Sequence, residues 1–133
     1  MDWHSIALTA AGAIGGGTAV VHGMLMQRLI IRQIDAVFVA DGRISTPMQR
    51  LLKLLLHFTS FNWLLSGLAL IVAAIWFEQN AKLATGLLAG SSFLYGTAIS
   101  LWVMRRLHPS WILMAVAFIL IILGLIPGTD GPA

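Results

Sequence analysis

Cysteine is absent from the 133 residues. That excludes disulfides, iron–sulfur clusters, thiol nucleophiles and thiolate metal sites. Charge is nearly as scarce. Lys, Arg, Asp and Glu make up 10% of the chain, against about 25% in a soluble globular protein. A water-soluble fold with 59% hydrophobic residues and a mean hydropathy of +0.90 would lack the polar surface to cover itself. The serines form no GxSxG pattern and the histidines no HExxH pattern, so the common hydrolase and metalloprotease signatures are missing. The net charge of +3 and pI near 10.2 come from only eight Lys or Arg, with no zinc knuckle, helix-turn-helix or basic-aromatic groove. Nucleic acid is therefore not an expected partner.

What the chain has is long uncharged runs. Residues 3–27 carry no Asp, Glu, Lys or Arg, and neither do 54–77, 83–104 or 107–129. At 1.5 Å per residue each is long enough for one membrane crossing. The runs are continuous rather than alternating, which disfavours a β-barrel. The expected fold is an all-α membrane protein, a four-transmembrane-helix antiparallel bundle in a single domain, 1–133, with spans near 5–27, 54–77, 83–104 and 109–126. The first run follows Met1-Asp2-Trp3-His4 without a basic residue and is too long for an ordinary signal core, so it is expected to be retained as a span. Pro109 suits a first helical turn and Pro127-Gly128 a stop.

The basic residues then set an orientation. Arg28, Arg32, Arg43, Arg50 and Lys53 lie between runs one and two, and Arg105 and Arg106 between runs three and four. Only Lys82 lies on the other side. The positive-inside rule makes the first and third connections cytoplasmic and both termini non-cytoplasmic, as in a bacterial cytoplasmic membrane. Trp3 and Trp76 fall at the outer interface, Trp102 and Trp111 at the inner one, depths that amphipathic indoles favour. The first connection is the longest. Residues 29–40 are expected to extend helix one or lie along the interface, Asp41-Gly42 reads as a turn, and Ser45-Thr46-Pro47 can begin the next helix.

Lipid supplies little hydrophobic drive between helices, so close packing and interhelical hydrogen bonds must hold them together. Gly12, Gly15, Gly16 and Gly17 in run one permit close backbone approach. In run three, Gly86, Gly90, Ser92, Gly96 and Ser100 form a small-residue stripe, expected to pack inside the monomer or to serve as an interface with a second copy or another membrane subunit. Thr59, Asn62 and Ser66 share roughly one face of run two, with Trp63 deep in the same run. They are candidates for binding a polar ligand or bonding neighbouring helices.

The chemical candidates are two histidines. His22 and His57 lie at similar depth on antiparallel runs, in the third nearest the basic connections. Opposed imidazoles there could hold haem b, with Arg28, Arg50 or Lys53 near its propionates; polar bonding to neighbouring groups is the plainer role. His108 belongs to the interface and His4 to the opposite end, so a four-ligand metal cage lacks ligands. No Asp or Glu lies within the runs to support a carboxylate proton relay. The functional expectation is a small integral membrane scaffold or accessory subunit, packing with itself, another membrane protein or membrane lipid. Haem-dependent redox or sensing, oligomeric transport along the Thr59–Asn62–Ser66 face, and lipid-modifying chemistry involving Asp35 or Asp41 are the alternatives.

Overall fold

The computed structural model describes residues 3–41, 45–104 and 109–126. Gly42, Arg43, Arg105, Arg106, His108 and the Pro127-Gly128 stop fall outside them. Among the described residues all regular structure is helical, and three helices are long and apolar enough to cross a membrane: Trp3–Val37, Thr46–Trp76 and Gln79–Trp102.

Helix α1 (Trp3–Leu25) does not stop where its apolar run ends. It passes through a π-helical stretch, Met26–Ile31, into α2 (Arg32–Asp41). The segment thus extends the first helix, one of the expectations for it. The physical reason is local: no Pro or Gly interrupts the chain between Gly23 and Gly42. The π stretch inserts extra backbone into the helix and re-aims the face that follows it. Ile31, the last residue of that stretch, is buried although its neighbours on both sides are exposed.

Helix α3 (Thr46–Trp76) begins at the Ser45-Thr46-Pro47 signal, with Ser45 extended as its N-cap and proline in the first turn. It ends at Phe77, whose extended backbone donates its N–H to the Ala73 carbonyl. Helices α4 (Gln79–Met104) and α5 (Pro109–Leu125) complete the chain. At 17 residues, α5 spans about 25 Å, at the short end for a bilayer core.

Each of α1 and α4 packs against both α3 and α5, giving a four-sided bundle with α1 and α4 across the diagonal. Neighbours run antiparallel. His22 of α1 meets Ser60 of α3, while Gly12, further back on α1, meets Gly67, further on along α3. On the other side, Gly124 near the end of α5 meets Leu8 near the start of α1. Phe93, Leu8, Leu70, Met114 and Ile121 fill the bundle centre and are almost wholly buried.

Glycine sets two of the helix separations. A β-carbon at Gly12 would lie 2.5 Å from the Gly67 carbonyl oxygen, and one at Gly67 would lie 2.6 Å from the Gly12 carbonyl oxygen. The α1 and α3 backbones therefore touch directly. Across the diagonal, the Phe93 ring occupies the space a Gly15 side chain would need, with Cζ 2.2 Å from that β-carbon position. Gly17 meets nothing within 4 Å.

The helices differ in reach. Gly96 of α4 sits against Trp63 of α3. From that level α4 runs on for about 12 Å to Met104, whereas α3 extends back about 25 Å to Thr46. Helix one continues about 28 Å beyond His22 to Asp41. These two helices thus overrun the described end of α4 as a projecting arm, tied by an ion pair between Lys53 Nζ and Asp35 Oδ1 at 2.5 Å.

Candidate functional site

Polar side chains concentrate where α1 leaves Gly67 behind and approaches the first half of α3. His22 Nδ1 and Ser60 Oγ are 2.9 Å apart, and the shared proton can belong to either group. Gly23 faces the same contact, with the Ser60 side chain 3.4 Å from where its β-carbon would be, an ordinary van der Waals distance. The His22 ring also rests on Trp63, with centroids 5.0 Å apart and planes tilted by 55°. Trp63 also packs against Gly96, whose missing side chain leaves space for the indole.

His57 lies almost one helical turn before Ser60. It donates from Nε2 to Gln27 Oε1 at 3.0 Å, and Gln27 belongs to the π-helical stretch. The two histidines therefore bond across the same helix pair at successive levels, each to a different side chain. His22 engages one nitrogen with Ser60 and His57 one with Gln27, and Trp63 lies against the His22 ring. Among the described residues no group of three or more His, Asp or Glu gathers as a metal cage.

The second polar set divides. Asn62 donates from Nδ2 to Ser92 Oγ at 2.6 Å, joining α3 to α4. Trp63 is buried as described. Ser66 is half-buried, whereas Thr59 is exposed. In the α4 stripe, Gly86 lies against Leu125, Gly90 against Phe118 and Ile121, and Gly96 against Trp63. Ser92 is the acceptor for Asn62, and Ser100 is half-buried. At the opposite end of the bundle, Lys82 donates to Ser5 Oγ at 3.3 Å, and His4 Nδ1 is buried without a hydrogen-bond partner.

Sequence reasoning did not single out Ser60, Gln27 or Gly67. Their signal is a buried stripe on α3, where Ser60, Trp63, Gly67, Leu70 and Ala74 recur at three- and four-residue steps. Small residues within that stripe mark the close contact with α1.

Between α1 and α3 a groove of about 270 Å³ opens to the side of the bundle. Its buried floor includes Ala19 and Ser60, its exposed walls Val20 and Phe61, and Gly23, His57 and Leu64 complete the lining. It is an apolar space with a hydroxyl and an imidazole on one side.

Ser60→Ala is expected to cost about 0.6 kcal/mol and at most about 1.7, the range for interhelical hydrogen bonds in a membrane protein. Unfolding by denaturing detergent, followed by helicity, measures it. A loss well above that range would mean that Ser60 does more than bond His22.

The chain matches no family model, no curated protein and no solved structure.

Proposed function

We propose that the chain crosses the bilayer four times, with both termini on the non-cytoplasmic side, and acts as a small membrane scaffold or accessory subunit. The observation that carries the partner-binding role is the projecting arm. Only about 20 residues are needed to cross a membrane, yet α3 has 31 and the first helix runs on through α2. The surplus is not a polar hairpin. Leu29, Val37, Met48 and Leu51 are each at least half exposed, between arginines and Lys53. Exposed apolar surface of this kind marks a contact with another protein or with the membrane.

Two further features support a scaffold over chemistry or flux. The interior polar side chains are largely engaged in bonds between or along helices, as with His22–Ser60, Asn62–Ser92 and Thr97 to the Phe93 carbonyl. Large side chains close the bundle axis, which leaves a path between copies as the route open to transport. The 17-residue α5 fits as the fourth crossing because its far end meets the first turns of α1, around His4 and Leu8.

The arm is testable because the chain has no native cysteine. With Val37→Cys or Met48→Cys, a short bifunctional crosslinker applied to native membranes should give a discrete adduct, either a dimer or a complex of fixed mass. Unmodified monomer at both positions would contradict the arm's role. Gly96→Leu, by contrast, reports on internal packing, since even a β-carbon there would lie 2.3 Å from the Trp63 ring.

A further inference from the structure

The groove between α1 and α3 continues into a stripe of changing polarity. On α3, Leu64, Phe61, His57, Lys53 and Arg50 follow one another at three- and four-residue steps and so share a face. Leu64 and Phe61 line the apolar part of the groove, His57 bounds it, and the two cations lie beyond. On α1, Val20 and Gly23 line the same groove, and Gln27, one turn on, receives the His57 hydrogen bond. Arg28 follows directly and is exposed.

The charge here is unbalanced. Asp35 pairs with Lys53, but Arg28 and Arg50 have no carboxylate partner among the described residues. From Leu64 to Arg50 the stripe is about 21 Å long. That is about the depth of one leaflet including its headgroups, half of roughly 40–45 Å. Its order is that of an amphiphile: an apolar slot towards the bilayer centre, hydrogen-bonding groups next, and guanidinium groups at the edge.

We propose that this stripe is a binding site for an anionic glycerophospholipid of the cytoplasmic leaflet. One acyl chain lies in the groove along Val20, Phe61 and Leu64. The ester and glycerol oxygens reach the level of His57, and the phosphate lies between Arg28 and Arg50. A zwitterionic lipid fills the slot equally well, but its own cation competes with the protein for the phosphate. The arginines therefore supply the preference for a net negative headgroup. The inference rests on the membrane placement proposed above and is independent of the accessory role.

The test begins by confirming that the protein resists alkaline extraction from membranes, which checks the membrane placement separately. Purified protein is then reconstituted in vesicles of four parts phosphatidylcholine to one part phosphatidylglycerol, and retained lipid is read by native mass spectrometry. Wild-type protein should retain phosphatidylglycerol out of proportion to its share. The double variant Arg28→Gln, Arg50→Gln should lose that preference about thirtyfold, and Lys82→Gln, at the other end of the bundle, should not. Both arginines are exposed, so the double variant keeps the fold. Gly23→Leu should reduce retention of both lipids by filling the slot. Retention in proportion to vesicle composition, or an undiminished preference in the double variant, overturns the proposal.

Discussion

Replacing Gly12 with leucine is expected to separate α1 from α3 and abolish the compact bundle. The contact is backbone to backbone: the new β-carbon would lie 2.5 Å from the Gly67 carbonyl oxygen and 2.7 Å from the Ile71 side chain. Side-chain rotation cannot relieve the first clash. Overpacking a core commonly costs about 1–3 kcal/mol where side chains can give way. Here a helix must move, so the loss should exceed about 3 kcal/mol. Gly67→Leu meets the same obstacle from the other side, at the Gly12 oxygen and the Gly16 nitrogen. Gly17→Leu is the internal control, since nothing lies within 4 Å of its β-carbon position. Detergent-induced unfolding and size-exclusion profiles should show Gly12→Leu and Gly67→Leu misassembled and Gly17→Leu like wild type. Near-normal stability in Gly12→Leu would mean that the two backbones do not touch.

The second large effect is at the centre. Phe93 is fully buried, and its ring fills the space opposite Gly15. In a soluble core Phe→Ala costs about 3–5 kcal/mol, part of it the transfer of the ring from water. In the membrane placement proposed above, separated helices keep that ring in an apolar medium, so mainly the cavity cost remains. Phe93→Ala should therefore cost about 2 kcal/mol. Gly15→Ala should also be destabilising, because its methyl would lie 2.2 Å from the ring. The pair should cost clearly less than the sum of the two, with a coupling of about 1 kcal/mol or more, since the methyl enters the cavity that the ring vacates. Strict additivity in a double-mutant cycle would place Phe93 away from Gly15.

The helical runs were legible in the sequence because membrane length and the absence of charge leave few choices, although α4 begins at Gln79, four residues before the run expected from 83. The start of α3 was legible too, from Ser45-Thr46-Pro47. The faces of the helices were not. A helix between lipid and other apolar helices is hydrophobic all round, so periodicity says little about which side turns inward. Gly15, Gly16 and Gly17 look alike in sequence, but Gly15 receives Phe93, Gly16 faces Leu64, and Gly17 meets nothing. The extension of helix one was half legible. Arg28, Arg32 and Asp35 end the apolar run but do not end the helix, for which Pro or Gly would have been the signal.

The candidate site was legible as residue types and as level along the antiparallel helices, and not as partnerships. His22 and His57 were placed in the same part of the bundle by counting along antiparallel runs. Which side chain each would meet depends on helix rotation and on the π-helical stretch that carries Gln27, and neither leaves a mark in composition. Ser60 was hidden for the same reason: a lone serine in an apolar run is unremarkable until the opposing helix supplies a histidine.

The central claim, four crossings with the arginine-rich connection inside, is tested most directly by labelling single cysteines in sealed cells. The absence of native cysteine makes the background clean. Glu78→Cys, in the turn between α3 and α4, should react with a membrane-impermeant maleimide from outside. Arg43→Cys should react only after the inner side is made accessible. Labelling of Arg43→Cys in intact cells, or protection of Glu78→Cys until the membrane is opened, would contradict the topology.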